Sequence, residues 1–126
     1  MQHILVVDDD PAIRDVVADI LEMSGYGVAT AAHGAEALDK IRHDLPAVVL
    51  LDLMMPVMNG WEFLYACRRE APCAAVPIVV MSAARDASRA VEDLGAQAFL
   101  AKPFELEAVL RVLEELAPNT TVRQSR

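Results

Sequence analysis

The apolar positions of this chain alternate between two patterns. Short unbroken runs of branched residues occur at Ile4–Val7, Ala47–Leu51 and Ile78–Met81, with weaker ones at Val28–Ala31 and Ala98–Ala101. Runs of this kind, with no polar alternation, predict strands covered on both faces. Between them the apolar residues recur at helical spacing. Ile13, Val16, Val17, Ile20 and Leu21 make one inward stripe. Asp10 is placed to cap that helix, Pro11 suits its first position, and Gly25 marks its stop. Gly34–Asp44 predicts a second helix with Ala37, Leu38 and Ile41 inward, broken by Pro46. A third follows the cap Asn59 with Phe63, Leu64 and Cys67 inward. Pro72–Pro77 reads as a loop, and Asp86–Leu94 as a short helix stopped by Gly95. Glu105–Leu116 is the last helix, with Leu106, Val109, Leu110, Leu113 and Leu116 inward and Pro118 at its end.

Five strand–helix units in series predict an α/β fold, a doubly wound five-stranded parallel sheet with right-handed crossovers and five flanking helices. A length of 126 residues fits one domain, taken as 2–118, with a polar, disordered tail over 119–126. Hydrophobic residues make up 55% of the chain but few are aromatic, so Leu, Val, Ile and Ala must build the core. A net charge of −8 argues against direct nucleic-acid binding and against anionic membranes, though not against a protein with a basic face. No apolar stretch approaches a bilayer span, and the start lacks the features of a signal peptide, so cytoplasmic residence is expected. Cys67 and Cys73 have no zinc-site spacing and read as two reduced thiols.

The candidate chemistry lies at the strand ends. Asp8-Asp9-Asp10 follows the first strand and Asp52 the third. In a parallel sheet the carboxyl ends converge on one rim, where open α/β folds bind ligands. That rim receives Asp8, Asp9, Asp52, Ser82 and Lys102. Carboxylates gathered so closely repel one another unless a hard cation such as Mg²⁺ sits between them. Asp10 is better read as a helix cap than as a ligand. His3, His33 and His43 are scattered and form no relay, and Trp61 reads as packing.

Four segments in order carry a family resemblance: Ile4 through Asp10, Leu51 through Gly60, Val80-Met81-Ser82-Ala83, and Phe99 through Phe104. On these the chain resembles the receiver domain of two-component response regulators over roughly Gln2 to Leu116. That family has a flavodoxin-like sheet of strand order 2-1-3-4-5. The resemblance implies Asp52 as phosphoacceptor, attacking a phosphohistidine on a sensor histidine kinase or histidine phosphotransfer protein. It implies Mg²⁺ held by Asp8, Asp9, Asp52 and the backbone carbonyl of Met54. Lys102 would pair with the phosphoryl group, Ser82 would donate its hydroxyl to it, and Phe99 stands at the aromatic switch position. Pro103 would follow a cis bond that aims the lysine. The implied protein is no enzyme beyond its own phosphorylation and dephosphorylation, and it passes its signal to a downstream effector protein or output domain.

The sequence departs from that pattern in places. Asn59 replaces a frequent Asp, and both cap helices. Twenty positions separate Ser82 from Lys102, slightly fewer than usual, which shortens the predicted fourth helix or its leading loop. Met54 and Ala84 stand where polar side chains can place a hydrolytic water, so a long-lived phosphoryl group is expected. Met1 reads as a natural start and the tail is short, which favours a single-domain regulator. The chief alternative is a phosphate-independent docking module. A Mg²⁺ phosphatase is disfavoured because Leu53-Met54 follow Asp52 where a second acid is usual. A dinucleotide site lacks its Gly-rich turn.

Overall fold

The computed structural model describes residues 3–82, 96–101 and 105–117. Five parallel strands, β1 (His3–Val7), β2 (Gly27–Ala31), β3 (Val48–Asp52), β4 (Ile78–Ser82) and β5 (Ala98–Ala101), form one sheet of order β2-β1-β3-β4-β5. The helices among the described residues are α1 (Pro11–Met23), α2 (Gly34–His43), α3 (Gly60–Arg68), a single turn α4 (Ala71–Ala74) and α5 (Leu106–Leu116). The expected strand order is the observed one. The expected helix over Asp86–Leu94 and the tail from Asn119 lie outside the described residues.

The unbroken apolar runs have a simple cause. Side chains alternate across a strand, so a strand covered on both faces needs an apolar residue at every position. Leu5, Val7, Val49 and Leu51 face α2 and α3, whereas Ile4, Val6, Val48 and Leu50 face α1 and α5. All are buried. Each such side chain contributes roughly 1.5–3 kcal/mol on leaving water. No described helix is long and apolar enough to cross a membrane.

The helix ends follow the local signals. The Asp10 carboxylate accepts the Ala12 amide at 2.9 Å, as expected of the cap. Gly25 takes a φ of 95°, which a residue with a Cβ adopts only with strain, and it lets the chain leave α1. The Tyr26 hydroxyl donates to the Ala117 carbonyl at 3.3 Å and ties this corner to the end of α5. At α2 the cap is a histidine. His33 Nδ1 accepts the Glu36 amide at 3.2 Å, and Glu36 Oε1 accepts the Ala32 amide at 2.8 Å.

The Ala32 amide holds the Glu36 carboxyl below its usual pKa; burial opposes this, and the Lys40 ammonium adds to it. A carboxyl whose folded pKa is depressed stabilises the fold above its unfolded pKa and loses that contribution as pH falls through the folded value. Glu36 is well exposed, so the effect is small. Glu36→Gln is expected to lower the melting temperature by about 1–2 °C at neutral pH. Thermal melts over a descending pH series should show that gap closing in the acid range.

Three expectations need correction. Val16 was placed on the inward stripe but is 54% exposed. The buried line runs through Val17 and Leu21, and Val16 sits about 100° around the helix from Val17. Pro72–Pro77 was read as a loop, yet Ala71–Ala74 forms one helical turn, with proline in its first turn where no amide is needed. Cys67 and Cys73 were read as reduced thiols, yet they are joined in a disulfide with their Cα atoms 5.1 Å apart. The chain reverses between α3 and α4 and returns Cys73 to the buried face of α3, a meeting that sequence spacing does not announce.

Candidate functional site

The sheet register builds the site. Val7 pairs with Leu51, so Asp8 leaves β1 beside Asp52 at the end of β3. One carboxylate oxygen from each of Asp8, Asp9 and Asp52 lies within 4.8 Å of the others. Asp8 is 1% exposed and Asp52 5%, whereas Asp9 is open to solvent. The result is a small acidic cup with two buried walls and one solvent-facing residue at its mouth.

Local hydrogen bonds hold the cup. Asp8 Oδ1 accepts the Asp10 amide at 2.9 Å, and the Asp8 amide donates to the Ala31 carbonyl at 3.1 Å. Arg14 donates to the main-chain oxygen of Asp8 at 2.7 Å and so helps fix the backbone at the cup. The Met54 amide stands 3.5 Å from Asp52 Oδ1, which places the Met54 backbone against the site while its side chain is 67% exposed.

The donor set fits a hard divalent cation. All three ligands are carboxylate oxygens, the type that Mg²⁺ prefers. Oxygens bound to one Mg²⁺ stand roughly 3–4 Å apart, given ligand distances of about 2.0–2.1 Å. The observed separation, within 4.8 Å, is only slightly wider than that. Two buried like charges side by side also raise the benefit of a positive charge between them.

The loop after Asp52 is fixed at three points. The Gly60 amide donates to the Leu53 carbonyl at 2.9 Å, and the Gly34 amide donates to the Met58 carbonyl at 2.9 Å. Within the loop the Met58 amide donates to the Pro56 carbonyl at 2.7 Å, with Val57 at a φ of 66°. A β-branched residue in that region is strained by about 1–3 kcal/mol. Such strain persists only where surrounding contacts overdetermine the backbone. Asn59 and Glu62 then close a reciprocal capping box at the start of α3, with bonds of 2.9 and 3.0 Å.

The remaining expected site residues stand as follows. Asp52 pairs with Met81, so Ser82, the last residue of β4, occupies the same rim, and it pairs with Ala101 of β5. Lys102 and Pro103 lie outside the described residues. Phe99 pairs with Val80 in β5, and its side chain is 41% exposed. Trp61 packs half-buried on the core, in keeping with its packing role. Sequence reasoning missed Gly60 and Gly34 as positioning residues. An added Cβ at Gly60 would lie 2.6 Å from the Asp52 carbonyl oxygen, and one at Gly34 would lie 2.9 Å from the Met58 carbonyl oxygen. The available signal was a glycine at the first turn of each of two helices, where other residues are ordinarily as good.

Comparison with known proteins gives the family and the fold. Residues 4–114 match the family model of the response regulator receiver domain. Response regulator Rre1 of Synechocystis is 40% identical over 116 residues, covering 87% of this chain and 50% of that protein. Response regulator MprA of Mycolicibacterium vanbaalenii is 42% identical over 121 residues, covering 94% and 52%. The chain thus spans about half the length of the curated relatives it matches. Among solved structures, chemotaxis protein CheY4 of Vibrio cholerae superposes with a TM-score of 0.84 at 36% identity, covering 92% of this chain and 98% of that one. The receiver domain of a sensor histidine kinase from Pseudomonas aeruginosa superposes at 0.83 with 27% identity, covering 91% and 96%, and it carries a magnesium ion in its active-site cleft.

Proposed function

This chain belongs to the response regulator receiver domain family, and on that premise we propose that Asp52 is its phosphoacceptor. It is a signalling domain of the two-component type and not a conventional enzyme. The observation that carries the proposal is the cluster of Asp8, Asp9 and Asp52, with Asp52 buried at the strand end where the rim converges. An Asp52 oxygen attacks the phosphorus of a phosphohistidine. The P–N bond breaks, and the departing imidazole takes up a proton. Asp8, Asp9, Asp52 and the Met54 carbonyl would hold Mg²⁺, which when bound supplies positive charge against the phosphoryl oxygens.

The product carries about −1.5 to −2 charges at neutral pH. Lys102 neutralises part of that charge. The Ser82 hydroxyl is drawn to a phosphoryl oxygen by a charge-assisted hydrogen bond. Phe99 then turns inward from its exposed position, and the face around β5 changes shape for a downstream partner. A few kcal/mol of differential stabilisation suffices for such a switch. The donor is a sensor histidine kinase or a histidine phosphotransfer protein, and the setting is the cytoplasm. Residues 2–118 serve as the receiver unit. The net charge of −8 argues against direct DNA contact by this unit, although one relative is named a DNA-binding regulator.

Intact-mass measurement after incubation with Mg²⁺ and acetyl phosphate tests this. A labile gain of one phosphoryl group, prevented by EDTA, is expected. A protein that gains nothing is instead a phosphate-independent docking module. The phosphoryl group should also be long-lived, because the exposed Met54 thioether cannot orient a hydrolytic water. Loss within seconds after removal of the donor would contradict that expectation.

A further inference from the structure

We propose that Cys67 and Cys73 form a reversible redox modification site, oxidised by a low-molecular-weight disulfide, that latches α4 to the end of α3. The site is distant in function from the acidic cup and rests on its own observations. Cys67 closes the inward face of α3 and Cys73 is the one buried residue of α4. Their sulfurs are joined across a sequence separation of six.

Three features make the bond switchable and not merely structural. Cys67 Sγ lies 3.1 Å from the Cys73 carbonyl oxygen, within reach for a reduced thiol to donate to it. That carbonyl is an acceptor close to the Cys67 thiol once the two sulfurs separate on reduction. Cys67 packs in the core with Phe63 and Leu64, contacts that do not need the cross-link. Access requires only a local event. Ala71, Pro72, Ala74 and Ala75 around Cys73 are all exposed, and a helix of one turn opens at little cost.

Arg68 pins the same segment through its backbone. It donates to the Ala74 carbonyl at 3.0 Å and to the Val76 carbonyl at 3.1 Å. Exchange runs through a cysteine thiolate, which becomes accessible when the turn opens. One cysteine thiolate attacks a sulfur of the small disulfide, forming a mixed disulfide and releasing one thiolate. The second cysteine thiolate then attacks the protein-side sulfur, closes the Cys67–Cys73 bond and releases the other. The two protons lost by the cysteines end on the two released thiols.

The consequence is a change in how firmly the segment 70–76 is held. Oxidised, it is tied by the bond and by Arg68; reduced, by Arg68 and weak hydrogen bonds. The amides of Ala74 and Val76, which donate to Glu70 and Cys73 carbonyls, report on this opening. The full chain is equilibrated with oxidised glutathione or with dithiothreitol, quenched in acid, and followed by alkylation mass spectrometry and hydrogen exchange. Expected are a cross-linked 67–73 peptide in the first sample and two alkylated cysteines in the second. Exchange at Ala74 and Val76 should be about tenfold faster when reduced. The melting midpoint should fall by roughly 5–10 °C. Cys73→Ala should exchange like the reduced protein in both buffers. Two free cysteines after oxidised glutathione, a bond that resists dithiothreitol in the folded protein, or equal exchange in both states would each overturn the proposal.

Discussion

Asp52→Asn is expected to take up no phosphoryl group from acetyl phosphate in Mg²⁺, under conditions where the unaltered protein gains one. The amide is nearly isosteric with the carboxylate, so the strand end should keep its shape. It has no anionic oxygen to attack phosphorus, and so the covalent step is lost outright and not merely slowed. The same change should raise stability in EDTA. Asp52 is buried beside Asp8 with Asp9 close by, and removing one of three clustered negative charges relieves repulsion. A gain of about 1 kcal/mol, or roughly 3–5 °C in melting temperature, is expected without the cation. With Mg²⁺ added the order should reverse, because the unaltered protein binds the ion more tightly and is stabilised by mass action. Intact mass and thermal melts with and without Mg²⁺ read all three effects. A variant that still gains one phosphoryl group would move the nucleophile to another carboxylate.

Gly60→Ala should be strongly damaging. The added carbon would stand 2.6 Å from the Asp52 carbonyl oxygen and 2.6 Å from the Leu53 Cα. Both obstacles are backbone at the end of a central strand, so neither can rotate away. Either α3 retreats and stretches the bond from the Gly60 amide to the Leu53 carbonyl, or the end of β3 shifts. Overpacking of this kind costs about 2–4 kcal/mol, which lowers the melting temperature by roughly 8–15 °C. Because the obstacle belongs to Asp52 itself, phosphoryl uptake should slow in the fraction that remains folded. Calorimetry and initial rates with acetyl phosphate check the two parts. A variant as stable as the parent would show that α3 is not seated as closely as the geometry requires.

Much of this was open to a reader of the residues. Ile4–Val7, Val48–Leu51 and Ile78–Met81 declare buried strands because alternation across a sheet leaves no room for polar residues. Asp8, Asp9 and Asp52 declare a shared rim because parallel strands all end on the same side. Asp10 and Asn59 declare helix starts through a reach of two or three residues. Each of these signals is local, or follows from one rule of chain topology.

Other features depended on distances between segments far apart in the chain. The exposure of Val16 followed from the exact angle at which α1 lies on the sheet, and a stripe of five apolar residues does not specify that angle. The close seating of Gly60 on Asp52 needed β3, its loop and α3 in place together. The joining of Cys67 to Cys73 needed the reversal between α3 and α4, and composition alone had pointed to free thiols. The amino-acid order thus carried the periodicities and the charges, which are properties of neighbours along the chain. Contact distances of a few ångströms between strand, loop and helix belong to the packed molecule, since they are set by how whole elements pack against each other.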